Sequence, residues 1–163
     1  MAEGERDDGA LWDAHRDARY RIDVFRHVPA PINTVWEIIS DHRGYASWTP
    51  MTTARLEVEG TPQPDGVGAV RFLGVGPVGA RERVLEFDPP DHLAYTIVSG
   101  PPARGYRADM WLQSTSDGGT DLRWLGSFAS APRGLGGPTR AMLAMALRDL
   151  ADRVVREGAR RGS

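Results

Sequence analysis

Apolar and polar residues alternate along much of this chain, but one short stretch and one long stretch have a helical spacing instead. Residues 20–28 alternate as a strand does, and the prolines that follow end the pattern. Apolar residues around Trp36 then recur at helical spacing as far as Ile39, and residues 41–48 predict a second short helix. Residues 20–48 therefore predict one strand and two short helices.

Six short β-like runs follow, and turn residues separate each run from the next. Glycine, proline and aspartate fill the connections, among them Asp88-Pro-Pro-Asp91 and Gly100-Pro-Pro. Consecutive short strands with tight connections predict an antiparallel meander and not β-α-β units. The six runs are residues 55–58, 68–73, 80–87, 92–99, 106–114 and 120–130.

One long helix is predicted near the C-terminus, beginning at Pro138 and ending near residue 157. Its apolar residues form one stripe that must be buried, and a curved seven-stranded sheet is the only large surface available. The fold class is therefore α+β, with the element order β-α-α-β6-α and the helix across the concave face of the antiparallel sheet. The stripe consists of Leu143, Leu147, Leu150 and Val154, and Met142 and Ala146 widen it.

The predicted domain spans residues 20–157, which suits one domain in a chain of 163 residues. Residues 1–19 are charged and predict a weakly structured arm, in which Leu11 and Trp12 hold a short helix against the domain. Residues 158–163 predict a basic tail that frays.

Composition excludes several kinds of chemistry. The chain has no cysteine, which excludes disulfides, thiolate nucleophiles and cysteine-ligated metals, and it has no lysine, which excludes Schiff-base chemistry. A formal charge of −2 provides no field that attracts nucleic acid. The N-terminus lacks the pattern of a signal peptide, and no stretch approaches the roughly 20 apolar residues of a membrane span. We therefore expect a cytoplasmic protein without nucleic-acid partners or membrane insertion.

Strand alternation gives the sheet an inner face that is rich in large aromatic residues. Tyr95, Tyr106 and Trp124 lie on that face among aliphatic residues. The small residues Ala108 and Gly126 leave space beside them. The pattern predicts a cavity for a nonpolar small molecule, and a simply packed core is the alternative. The residues expected to line the cavity are Trp36, Trp48, Tyr95, Tyr106, Met110, Trp124, Phe128, Met142 and Ala146.

Several motifs resemble the START-like (SRPBCC) superfamily. Residues 28–36 (VPAPINTVW) resemble its strand-to-helix opening, and residues 45–50 (YASWTP) are similar to its second-helix motif. Residues 81–95 (RERVLEFDPPDHLAY) and 118–124 (GGTDLRW) resemble its polyketide cyclase/dehydrase and lipid-transport branch. The resemblance extends over residues 20–157. It implies the helix-grip fold of the birch pollen allergen, with an internal ligand cavity.

Glu82 is the candidate catalytic residue, because a cyclase needs a positioned acid or base in its cavity. It alternates with Val84, and burial of an inward side chain would raise its pKa. The alternatives are an ion pair with Arg71 or Arg107, or an exposed position. A bulge between Val84 and Phe87 would exchange the two faces of this strand.

The four histidines lie far apart in the sequence and have no spacing typical of metal ligands. We expect His42 in a surface turn and His92 exposed beside the turn at residues 88–91. No metal and no cofactor are therefore expected.

Two functions fit the predicted cavity, and a third depends on the outer surface. The first is the binding or transport of a nonpolar molecule such as a lipid, a polyketide or an aromatic compound. The second is a polyketide cyclase/dehydrase-type activity in the same cavity. The third, an interaction module similar to co-chaperone activators, needs an exposed apolar sheet face, which only Trp111 and Leu125 indicate. One carboxylate without a convincing histidine partner favours binding, and the sequence leaves a homodimer open.

Overall fold

The computed structural model describes residues 8–163, which contain one seven-stranded antiparallel sheet and a long C-terminal helix. Residues 1–7, the first part of the predicted arm, lie outside the described residues. The elements in chain order are α1 (Asp8–Leu11), a 3-10 turn (Asp13–His15), β1 (Tyr20–Val28), α2 (Ile32–Ser40), α3 (Tyr45–Trp48), β2 (Thr53–Val58), β3 (Val70–Val75), β4 (Val78–Asp88), β5 (His92–Ser99), β6 (Arg107–Ser114), β7 (Thr120–Phe128) and α4 (Gly136–Gly162).

The strands from β2 to β7 pair in sequence order, as a meander does. The first strand pairs with the last, which gives the spatial order β1-β7-β6-β5-β4-β3-β2. Every pairing is antiparallel. After β1, the chain passes through α2 and α3 to reach the opposite edge of the sheet. The predicted α+β fold and its element order are confirmed.

The core lies between the inner face of the sheet and α4. Tyr95 on β5, Met110 on β6 and Trp124 on β7 belong to it, together with Leu147 and Val154 from the helix. Full burial of an aliphatic side chain stabilises a fold by about 1.5–3 kcal/mol. These three strands alternate as the sequence predicts, because every second side chain on them enters the core.

A β-bulge near the end of β4 changes which side chains of this strand face the core. The pairing of β4 with β5 shifts between Val84 and Glu86, so that Val84 and Phe87 both enter the core. Glu86 and Asp88 then lie on the outer face, close to His92. The bulge therefore brings two carboxylates together beside the turn that connects these strands.

The prediction that Met142 and Ala146 line the cavity is wrong. Met142 is 44% exposed and Ala146 is also exposed, because both lie on the side of α4 that faces away from the core. Leu143 and Leu147 occupy the buried side of the helix.

Small residues on α4 determine which side of this helix faces the sheet. Ala144, Ala151 and Gly158 recur every seven residues and are buried, which lets the helix approach β1 closely. A Cβ atom added at Gly158 would lie 2.4 Å from Cγ1 of Val28. The helix also continues to Gly162, so the residues that were predicted to fray are helical.

The segment before β1 packs against the outer face of the sheet. Leu11 is buried, and His15 is 1% exposed. The side chain of His15 bonds to Asp109 on β6 and to Ser127 on β7. These contacts hold residues 8–18 on the side of the sheet opposite to α4.

Candidate functional site

Glu82 on β4 and Arg71 on β3 form an ion pair inside the protein. The two residues are direct partners in the register of these strands, and Nε and a terminal nitrogen of Arg71 each lie 3.1 Å from Oε2 of Glu82. Arg71 is 2% exposed, and the side chain of Glu82 is 13% exposed. Glu82 therefore faces inward and forms one of the two ion pairs that the sequence left open.

Three tyrosines surround this ion pair. The guanidinium carbon of Arg71 lies 5.8 Å from the ring centre of Tyr45 and 5.4 Å from that of Tyr95. Tyr106 lies beside Tyr95, with 6.2 Å between the ring centres. A desolvated guanidinium over an aromatic ring contributes about 2 kcal/mol. We call Arg71, Glu82, Tyr45, Tyr95 and Tyr106 the interior cluster.

Burial keeps the tyrosines of the interior cluster neutral. It raises the pKa of Tyr45 to about 12, and it also raises the pKa values of Tyr95 and Tyr106. Burial likewise raises the pKa of Glu82, while the attraction of Arg71 opposes that rise. The cluster can therefore offer hydroxyl groups and one ion pair to a molecule in surroundings that are otherwise apolar.

The structure brings most of the predicted lining residues into one core, and their contact with a ligand stays a prediction. The indole N–H groups of Trp48 and Trp124 are buried and find no acceptor among the described residues. A bound molecule with an oxygen acceptor would satisfy such a group. The lining residues in this core are Tyr95, Tyr106, Met110, Trp124 and Phe128, each at most 3% exposed, with Trp36 and Trp48 at 8% and 9%.

A cavity of about 410 Å³ opens beside the end of α2, and we call it the mouth cavity. Trp36 and Phe87 form its apolar wall, and the same two rings, 5.1 Å apart, belong to the core. Sequence reasoning missed the loop at residues 63–65 and the helix end at Arg161, because no periodic pattern shows where a loop folds. The remaining lining residues are Glu37, Ser40, Asp41, Gln63, Pro64, Asp65 and Arg161.

Two histidines do not lie where the sequence led us to expect them. His42, expected in a surface turn, is 1% exposed and bonds to Asp65 through Nδ1. His92, expected to be exposed, is 3% exposed, and its ring stacks on Trp111 with 3.6 Å between the ring centres. Both expectations are wrong, because turn signals in a sequence do not show which segments pack over the turn.

Asp109 is the centre of a buried network on the outer face of the sheet. Its carboxylate lies 2.7 Å from Nε2 of both His15 and His92, and 2.8 and 2.9 Å from nitrogens of Arg107. Nδ1 of His15 also lies 2.5 Å from Oγ of Ser127. Burial by itself raises the pKa of Asp109, but the hydrogen bonds from its three donors lower that pKa far below its usual range. We call these five residues the outer network.

Neither apolar residue that indicated an exposed apolar sheet face lies on an open surface. Leu125, one of the two apolar residues expected on an exposed face, is completely buried. Trp111, the other, is partly buried and stacks on His92. The third function therefore loses the observation on which it depended.

Several solved structures have a similar fold, and the similarity covers most of this chain. A START superfamily protein from Mycobacterium smegmatis has a TM-score of 0.70 at 12% identity, with coverage of 86% of this chain and 98% of that one. The protein Ara h 8.0201 has a TM-score of 0.67 at 14% identity, with coverage of 86% and 96%. A protein of the dynemicin biosynthetic locus has a TM-score of 0.61 at 23% identity, with coverage of 83% of this chain and 46% of that one. These similarities show a shared helix-grip fold.

The comparison with protein families covers residues 19–161. This range matches the family described as polyketide cyclase / dehydrase and lipid transport. No curated protein matches the chain. Because the match covers most of the chain, the chain belongs to the polyketide cyclase / dehydrase and lipid transport family.

Proposed function

We propose that this domain binds a nonpolar small molecule between the sheet and α4 and orients it with the interior cluster, without catalysing a reaction. The observation that carries the proposal is the enclosure of Arg71 and Glu82 in an apolar core. A family described by polyketide chemistry and lipid transport supports a ligand that is largely apolar. Lipids, polyketides and aromatic compounds all meet this description.

The energetics of the buried ion pair favour a binding role. Moving charges out of water costs several kcal/mol per ion, and apolar residues of similar size often give equal or greater stability. Arg71 and Glu82 bond to each other across two neighbouring strands. Stability alone therefore does not account for this pair. A ligand carbonyl or hydroxyl that bonds to Arg71 or to a tyrosine hydroxyl would account for it.

The mouth cavity is the proposed route into the core. Its volume of about 410 Å³ lies within the range of small-molecule sites. Trp36 and Phe87 line the cavity and also pack in the core, so an apolar molecule that displaces their rings reaches the inner face of the sheet. The polar rim stays in water while the molecule enters.

A polyketide cyclase/dehydrase-type reaction in the same place is the second candidate. Burial raises the pKa of Glu82, and a raised pKa suits a group that exchanges protons near neutral pH. The family's description as polyketide cyclase / dehydrase also favours it. Against it, the described contacts of Glu82 include Arg71 but no histidine. We therefore keep binding as the first proposal.

Location and assembly are proposed from the sequence. Among residues 8–163, no helix is both long and apolar enough to cross a membrane. A cytoplasmic location and a possible homodimer stay predictions.

Replacement of Glu82 by Gln tests the two candidates against each other. Native mass spectrometry of the purified protein first identifies any nonpolar molecule that remains bound. Fluorescent fatty acids and aromatic polyketides are then titrated into wild-type and Glu82→Gln protein, and product formation is assayed. A binding protein should show an affinity change of at most about tenfold, because one buried hydrogen bond contributes roughly 0.5–1.5 kcal/mol.

An enzyme gives a different result in the same experiment. Loss of its acid or base should lower turnover by a factor on the order of 10²–10⁴ while substrate still binds. The matched control is Glu59→Gln, which removes the same charge from an exposed residue. Turnover that collapses only in the Glu82 variant would overturn the binding proposal and establish the second candidate.

A further inference from the structure

The turn between β4 and β5 places a buried imidazole opposite two carboxylates on the outer face. Asp88 and His92 are direct partners in the strand register, and Glu86 precedes Asp88 by two residues on the same face. Nδ1 of His92 lies 3.3 Å from Oε2 of Glu86 and 3.9 Å from Oδ2 of Asp88. One nitrogen and two carboxylate oxygens thus lie within 4.8 Å of one another.

The opposite side of the His92 ring is held in place. Its Nε2 lies 2.7 Å from Oδ1 of Asp109, and the ring stacks on Trp111 with an angle of 5° between the planes. Asp109 also accepts hydrogen bonds from Arg107 and His15, so it acts towards His92 as an acceptor. Nε2 therefore carries a proton, and Nδ1 is the nitrogen that faces the two carboxylates.

This orientation is the one that metal-binding histidines adopt in proteins. A histidine ligand commonly donates its second ring nitrogen to a carboxylate, which fixes the tautomer and makes the first nitrogen a better ligand. Asp109 has this position relative to His92. The spacing of the histidines did not indicate such a site, because both carboxylates reach His92 through the bulge and the turn that end β4.

The charges around His92 favour a cation beside its Nδ1. Glu86, Asp88 and Asp109 are three carboxylates, and Arg107 bonds to the far oxygen of Glu86 and to Asp109. A bare nitrogen lone pair between two carboxylates is unfavourable, since all three groups are electron-rich. A metal ion between them would accept the lone pair of Nδ1 and attract both carboxylates.

We infer that Oε2 of Glu86, Oδ2 of Asp88 and Nδ1 of His92 bind a divalent transition-metal cation of the zinc class. Zinc bonds of about 2.0–2.2 Å in a tetrahedron place ligand atoms roughly 3.3–3.6 Å apart. The 3.3 Å separation already meets this requirement. The 3.9 Å separation needs a small movement of Asp88, whose side chain is 76% exposed. Mg²⁺ and Ca²⁺ fit less well, because both prefer oxygen ligands only.

The site is independent of the proposed ligand cavity. It lies on the outer face of the sheet, whereas the interior cluster lies between the sheet and α4. Three ligands from the protein leave a fourth position for water, as in zinc sites that are not purely structural.

A calorimetric titration of the full chain with Zn²⁺ tests this inference. Co²⁺ is titrated separately, because its visible absorption reports the number and kind of its ligands. We expect one equivalent of each ion to bind to the wild type, and Asp88→Asn to weaken binding by at least about tenfold. The matched control is Asp91→Asn, which removes the same charge from an exposed residue of the same turn. Its affinity should stay within about twofold of the wild type.

Each other outcome overturns the inference. No binding of Zn²⁺ or Co²⁺ means that Glu86, Asp88 and His92 do not form a metal site. Equal losses in the two aspartate variants mean that the ions respond to surface charge alone. Binding that persists in Asp88→Asn and disappears in Asp65→Asn places the ion at His42, where Asp41 and Asp65 form the other described cluster of this kind.

Discussion

The interior cluster and the outer network both enclose charged side chains, but they hold them in different ways. Glu82 in the interior has one charged partner, Arg71, on the neighbouring strand. Asp109 on the outer face has three donors, which come from the N-terminal segment, β5 and β6. A carboxylate has about four acceptor positions. Asp109 uses them to join parts of the chain, whereas Glu82 retains positions that a ligand can use.

Loss of Asp109 should give the largest effect on stability. The change Asp109→Ala removes the carboxylate that two buried imidazoles and the guanidinium of Arg107 share, and removal of one partner from a buried ionic group costs about 3–5 kcal/mol. Urea unfolding measures this change. The control is Asp23→Ala, because Asp23 pairs with Arg123 at the exposed surface and should contribute less than about 1 kcal/mol. Similar losses in both variants would contradict the structural role of the outer network.

Acid should weaken the outer network before the interior cluster. The pKa of Asp109 is lower in the folded protein than in the unfolded chain, so its stabilising contribution is complete above the unfolded value of about 4 and is lost as the pH falls below it. The pKa of Glu82 is raised, so its contribution has the opposite sign and is lost as the pH rises. The charged and titratable groups around Asp109 are His15 on the 3-10 turn, His92 on β5, Arg107 on β6 and, through Arg107, Glu86 on β4.

Hydrogen exchange between pH 5 and pH 2 measures this difference, after correction for the intrinsic exchange rates. Amides of residues 10–18 should lose protection first, while those of β3 and β4 keep theirs. In Asp109→Ala the N-terminal amides should already exchange rapidly at pH 7. Loss of protection in all elements at the same pH would contradict the prediction.

Replacement of the whole interior ion pair should have the smallest effect on stability. The double change Arg71→Met with Glu82→Leu removes both charges together, and such replacements are often neutral or stabilising by about 1–4 kcal/mol. The single change Arg71→Met leaves a buried carboxylate and should destabilise the fold. Thermal unfolding compares the two variants, and ligand titration should show weaker binding in both. A double variant that unfolds as easily as the single one would indicate that the pair serves the fold itself.

Parts of the fold and site were predictable because their pattern is local. Met110 and Trp124 lie on strands that are regular, so their inward direction could be predicted. Glu82 faces inward, which is one of the positions that the sequence left open, since it precedes the bulge of β4. Met142 was placed on the wrong side of α4, because the apolar stripe is broad and only contact with β1 selects its buried part.

The sequence by itself determined the order of the elements, the meander and the family, since each depends on short-range periodicity, turn residues and local motifs. Only the tertiary structure decided which charged residues meet. Arg71 and Glu82 become partners through strand register, and Asp109 joins residues that are 94 and 17 positions away. Such distances carry no signal in one sequence, because hydrogen bonds and ion pairs depend on positions in space that the packing of the whole chain sets.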